Sequence, residues 1–142
     1  MQELLNAATL LRVVAGVALL QFLGHAALFV RAKPSHGPDE ERVVEAMKAQ
    51  RFRFAAAPRS YWDLYFGYGL EAAFICLIEA VLFWQLAGIA AHQAALVRPI
   101  VALFVAANLG HLVLLARYFA FPLPMLFDAL IAGGLAAVLS VT

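Results

Sequence analysis

Charge is scarce in this chain. Of its 142 residues only 13% are charged, while 65% are hydrophobic; an ordinary soluble domain holds about 25% charged and about 45–50% apolar residues. So little polar material excludes a soluble domain of this size, because the apolar surface left over could not be hidden from water. Lipid accepts it. Cysteine is scarcer still. Cys76 is alone, which excludes an internal disulfide and leaves the redox compartment unreadable. Within its apolar run it reads as a small buried hydrophobe. The start, Met1-Gln2-Glu3, lacks the basic segment of a cleavable signal, and the apolar run behind it is too long for one, so a retained span is expected. No two histidines stand at the i, i+4 spacing that a helical zinc site uses. The long runs also lack the alternation of apolar and polar residues that a membrane β-barrel needs.

What is present is length. Four apolar runs stand at about Leu10–Val30 (with Leu4 as an earlier start), Tyr61–Ala87, Leu96–Tyr118 and Pro124–Thr142. Each holds roughly 19 to 27 residues, which fits the ~20 that cross ~30 Å of hydrocarbon at ~1.5 Å per residue. The expected fold is all-α: a single transmembrane domain over residues 1–142, built as a four-helix bundle with a short amphipathic helix in its first loop. Gly88 through Gln93 is expected to link the second and third spans. Phe121-Pro122-Leu123-Pro124 is expected to reverse the chain into the fourth, which makes the last three spans antiparallel neighbours.

Residues 31–60 are the one long polar stretch. Ser35-His36-Gly37-Pro38 reads as a turn, followed by the acidic Asp39-Glu40-Glu41. Val43, Val44, Met47 and Phe54 then recur near helical spacing, and Lys48, Arg51 and Arg53 lie at the far end of the segment. Acid first and base last suits a helix dipole. An amphipathic helix is expected from Pro38 to about Ala49, lying at the membrane surface or capping the bundle. Seven of the ten Lys and Arg residues fall between residues 31 and 59. By the positive-inside rule this loop and the Arg117 turn face the cytoplasm, with both termini outside, in a bacterial inner membrane. A basic segment between membrane spans points to the lipid bilayer rather than to nucleic acid.

Ionisable groups inside spans cost at least ~2.5–3.5 kcal/mol at the bilayer centre and normally face protein or water. His25, Asp63, Glu71, His111, Arg117 and Asp128 all count to the loop-side half of the membrane, with Glu71 near the midplane. Glu79 counts toward the opposite side. Gln21 and His25 share a helix face within about 40°, and Asn108 and His111 within about 60°. We therefore expect a polar pocket with His25, Glu71 and His111 as acid/base groups, and Gln21, Tyr61, Asp63, Asn108 and Arg117 as ligand-binding residues. The plainer reading takes the same groups as interhelical hydrogen-bond glue. It takes Arg12, Arg98 and Arg117 as snorkelling residues, and Tyr61, Trp62, Tyr65 and Tyr68 as an interfacial aromatic belt.

The segment Arg59-Ser60-Tyr61-Trp62-Asp63-Leu64-Tyr65-Phe66-Gly67-Tyr68-Gly69-Leu70, with Gly24-His25, Met47 in a Pro-containing acidic loop, Trp84-Gln85-Leu86 and Arg98-Pro99-Ile100, resembles a family of small uncharacterised four-span bacterial membrane proteins. The resemblance covers nearly the whole chain and implies four helices without a particular chemistry. A more distant likeness, of architecture alone, exists to DoxX-like and emopamil-binding-like proteins, which set His and carboxylates in a membrane pocket. Function divides accordingly. One expectation is a pocket protein for a small lipophilic molecule, with acid/base chemistry within its reach. The other is a structural or accessory subunit whose partner subunits satisfy Arg12, Glu79 and Asp128. Proton or ion translocation, and a haem held by His25 and His111, stand behind these two. No cofactor is specified.

Overall fold

The computed structural model describes residues 6–30 and 37–142. It is helical apart from one small hairpin. In chain order the elements are α1 (Ala7–Val30), α2 (Pro38–Ala49), β1 (Arg51–Phe54), β2 (Ala57–Ser60), α3 (Tyr61–Tyr118) and α4 (Pro122–Val141). Three of them, α1, α3 and α4, are long and apolar enough to cross a membrane. Leu4, Arg31, Lys33, Ser35 and His36, on which parts of the sequence reading rest, lie outside the described residues.

Helix ends follow local chemistry. The Asn6 side chain accepts the Thr9 backbone N–H at 2.8 Å, a cap that starts α1. Helix α2 begins at Pro38, whose missing N–H is one the first turn leaves unbonded anyway. It occupies the expected segment. Val44 and Met47 are half-buried, while Glu41, Arg42, Val43 and Glu45 are exposed.

The chain continues past α2 as an antiparallel hairpin, where only loop was expected. Its register pairs Arg51 with Ser60, Phe52 with Arg59, Arg53 with Pro58 and Phe54 with Ala57. The two-residue turn is Ala55-Ala56, with Ala55 at φ 50°, a conformation usually left to glycine. A two-stranded ribbon has only edges, so Pro58 is tolerated.

Helix α3 is not straight. Gln93 leaves helical geometry at φ −143°, ψ 64°, and the Phe83 and Phe104 rings meet 5.1 Å apart, centre to centre. On a straight helix their Cα atoms would be about 30 Å apart. The chain therefore folds back at Gln93, with residues 76–92 and 94–118 as two antiparallel arms. The expected link at Gly88–Gln93 shrinks to Gln93 itself. Gly88 stays helical, because a lone glycine weakens a helix by only ~1 kcal/mol and does not stop it. Pro99 sits in the first turns of the second arm. That arm ends where the N–H groups of Phe119 and Ala120 both donate to the Leu115 carbonyl, at 2.9 and 2.8 Å, and Ala120 takes φ 47°. Helix α4 starts at Pro122, not near Pro124, because both prolines fit a first turn.

The chain divides into two compact units, Met1–Phe22 with Cys76–Thr142, and Leu23–Ile75. The core of the first contains Leu11, Phe83, Val97, Val101, Ile131 and Leu135. Two buried stripes match. Leu11, Val14, Ala15, Ala18 and Gln21 line α1, and Asp128, Ile131, Ala132, Leu135 and Val138 line α4. Gln21 meets Asp128 and Val14 lies against Gly134, so these stretches run antiparallel. A Cβ on Gly134 would come within 2.6 Å of Val14 Cγ2; glycine is what lets the helices approach.

In the second unit a train of aromatic contacts runs from His25 to Phe29 (5.1 Å), from Phe29 to Tyr65 and Phe66, and on to Trp62. Lys48 closes it, its ammonium 4.8 Å from the Trp62 ring centre. A Cβ on Gly69 would overlap the Phe29 ring.

Candidate functional site

The first unit places a fully buried carboxylate where helices from distant parts of the chain converge. Asp128 stands two turns into α4, on its buried stripe, and only 2% of its side chain is exposed. From α1, Gln21 Nε2 donates to Asp128 Oδ1 at 2.9 Å. From the second arm of α3, His111 Nδ1 stands 2.8 Å from Oδ2. Oδ1 thus takes a hydrogen bond from one helix, while Oδ2 faces His111 of another at ion-pair distance without a hydrogen bond. Gln21 lies on α1's buried stripe by helical spacing, three residues past Ala18, so local periodicity aims it at α4.

His111 differs from its partners in exposure. Just over half of its side chain, 55%, is uncovered. One ring nitrogen is committed to a buried carboxylate. A carboxylate at Nδ1 favours the tautomer with hydrogen on that nitrogen, which leaves Nε2 as an acceptor on the far edge of the ring. The arrangement is a carboxylate-oriented imidazole, the same division of labour as in base–orienter pairs of enzymes.

Glu79 belongs with this cluster. The sequence count set it toward the opposite side of the membrane, but it lies within Coulombic reach of both Asp128 and His111. The hairpin explains the difference. Folding at Gln93 brings residues of the two arms level when they are equally distant from the turn, as Phe83 and Phe104 are. On that register Glu79 falls level with Asn108, one turn from His111. Cys76, within reach of Glu79 and Asp128, falls level with His111.

The other expected site residues take varied places. Asn108 is buried, and its Nδ2 donates to the Phe104 carbonyl of its own helix at 2.9 Å, a local back-bond. Arg117 is exposed, with its guanidinium 5.5 Å from the Tyr118 ring centre. His25, Tyr61, Asp63 and Glu71 belong to the second unit. His25 is half-buried on Phe29, Glu71 is exposed, and Tyr61 packs on Phe52 at 4.8 Å. Asp63 has a structural task. Its carboxylate accepts the Ser60 N–H at 2.8 Å, while Ser60 Oγ accepts the Asp63 N–H at 3.1 Å. This reciprocal capping box starts α3. The signal, Ser-x-x-Asp ahead of an apolar run, was present in the sequence. The carboxylate that organises the first unit, Asp128, stood outside the expected site, because nothing local marks which of several intramembrane acids will be buried.

An open groove of about 610 Å³ lies between the second arm of α3 and α4, lined by Leu112, Ala116, Pro122, Met125, Leu126 and Ala129, with Ala120 at its end. It begins one residue from His111 on one helix and one residue from Asp128 on the other. It is a shallow apolar depression, open along most of its length. Among the described residues no three His, Cys, Asp or Glu side chains are arranged to hold a metal ion. No protein-family model, no curated protein and no solved structure matches the chain.

Proposed function

We propose that the protein is a four-span helical bundle of the bacterial inner membrane that binds a small lipophilic molecule at His111. The observation that carries this is the Gln21–Asp128–His111 chain, in which a fully buried carboxylate stands 2.8 Å from Nδ1 of a ring that is itself about half exposed. The apolar groove beside it supplies room for a hydrocarbon body. Nε2 supplies one directional acceptor for a hydroxyl or similar donor. Acid/base chemistry on such a molecule is within reach of the same nitrogen, which is held as a general base is held.

Four spans rest on the fold at Gln93. An arm of residues 94–118 is about 37 Å long and covers ~30 Å of hydrocarbon once. Residues 61–92, about 48 Å of helix, are long enough to do the same. The loop side faces the cytoplasm by its excess of Lys and Arg.

The competing reading treats the same chain as glue within an accessory subunit, since the Gln21–Asp128 bond ties residues 107 positions apart. Mass spectrometry of organic extracts separates the two. Protein purified in mild detergent is expected to carry a lipophilic species, near one per chain, that disappears in His111→Ala while the fold persists. Equal recovery from both proteins, or none from either, would favour glue.

A further inference from the structure

The hairpin between α2 and α3 carries an arrangement that the His111 site does not use. Side chains alternate across a strand, and directly paired residues share a face. Arg51 and Arg53 therefore stand on one face with Pro58 and Ser60, about 7 Å apart along the strand. Phe52, Phe54, Ala57 and Arg59 stand on the other. All three arginines are exposed, and so is the Phe54 side chain at the hairpin's end, at 53%. Phe52 is anchored instead, packed on Tyr61 at 4.8 Å.

The hairpin is fixed to the membrane span. Ser60 is both the last residue of β2 and the capping residue of α3, so no linker separates ribbon from helix. Lys48, stacked on Trp62, ties the end of α2 to the same turn. The nearby carboxylate, Asp63, is within Coulombic reach of Arg51 and Arg59 but is already spent on the cap. Arg59 Nη1 donates to the Pro58 carbonyl at 3.0 Å and keeps its remaining donors. Two guanidiniums on one face of a short strand repel each other unless an anion lies between them.

We propose that this hairpin is a binding site for the phosphate headgroup of an anionic membrane lipid, with Arg51 and Arg53, which share a face, holding the phosphate and Phe54, at the hairpin's end, seated among the acyl chains beside it. Guanidinium forks match phosphate oxygens in bidentate geometry. An exposed phenylalanine among basic residues at a span's end is stable in the lipid interface and poorly placed in water. A soluble phosphate needs the arginines and not the phenylalanine, which is why the membrane lipid is the occupant. The proposal rests on the loop-side placement of the hairpin at a membrane and is independent of any ligand at His111.

The test uses the full chain, purified in mild detergent, with native mass spectrometry and thermal melting as readouts. Phosphatidylglycerol, phosphatidylcholine and inorganic phosphate are added separately. Wild type is expected to retain phosphatidylglycerol and melt higher with it, and to respond to neither of the others. Each of Arg51→Gln and Arg53→Gln is expected to weaken phosphatidylglycerol binding about fivefold, the size of one basic residue near an anionic surface. Phe54→Ser is expected to weaken it with the charge intact, Arg59→Gln, on the opposite face, to weaken it less than either, and Arg98→Gln to leave it unchanged. Equal response to inorganic phosphate, or undiminished phosphatidylglycerol binding in both Arg51→Gln and Arg53→Gln, overturns the proposal. Loss of the His111 ligand alone leaves these outcomes unaltered, so the two readings fail separately.

Discussion

Replacing Asp128 with alanine tests the organising role given to its carboxylate. The substitution removes the acceptor for Gln21 at 2.9 Å and the partner of His111 at 2.8 Å. Interhelical hydrogen bonds in membrane proteins average ~0.6 kcal/mol each in double-mutant cycles, with ~1.7 kcal/mol as the largest. The Gln21 bond puts the loss at about 0.6 kcal/mol and the His111 ion-pair contact at up to about as much again, before any contribution from the space vacated in the packing. Chemical denaturation in mixed micelles measures it, run as cycles of Asp128→Ala with Gln21→Ala and with His111→Ala. Each pair is expected to couple by about 0.6 kcal/mol. Asp128→Asn keeps the shape and an acceptor for Gln21, so it is expected to lose about half as much. Additive effects, within ~0.3 kcal/mol in both cycles, would refute the contact chain and with it the oriented imidazole.

Other outcomes follow from single contacts. Gly69→Ala is expected to destabilise the chain by ~1–3 kcal/mol through overlap with the Phe29 ring, and Phe29→Ala in the same chain should recover part of the loss in thermal melts. Ser60→Ala breaks the capping box and is expected to cost ~1 kcal/mol; an unchanged melting point would deny the cap a role. A cysteine placed at Glu45 in a Cys76→Ala background is expected to resist membrane-impermeant thiol reagents added to intact cells and to react in opened ones. Labelling in intact cells would reverse the assigned orientation.

The sequence displayed most of the helical content, and physical reasons account for the rest. The apolar runs and the proline-led acidic start of α2 are local signals, and the helices stand where those signals do. The hairpin was partly visible in the alternation Arg51-Phe52-Arg53-Phe54. Its turn, however, is Ala55-Ala56, which lacks the Asn and Gly that normally mark a two-residue loop. The break at Gln93 falls inside the expected Gly88–Gln93 link but at its far end, at a residue with no breaking tendency, five residues past the more suggestive Gly88. That one displacement propagated into the site. Depths counted from Tyr61 assumed an arm as short as the bilayer is thick, so Glu79 was separated from His111 and Asp128. The preference of Asp128 for Gln21 and His111 is a tertiary fact, set by which stripes of α1 and α4 interdigitate. Asp63, by contrast, was decipherable, since the capping-box spacing was there to be read.

If His111 presents Nε2 to a bound lipophilic molecule while Asp128 holds Nδ1, nitrogen NMR of histidine-labelled protein in nanodiscs detects it directly, with the His111 resonances assigned by their loss in His111→Ala. A protonated Nδ1 is expected beside an unprotonated Nε2 whose shift moves when the bound lipophilic material is stripped and returns when the extract is added back, with the ring changing tautomer in Asp128→Asn. An Nε2 resonance indifferent to stripping and add-back, beside an intact Nδ1–Asp128 bond, would contradict it and leave the dyad as a structural tie between helices.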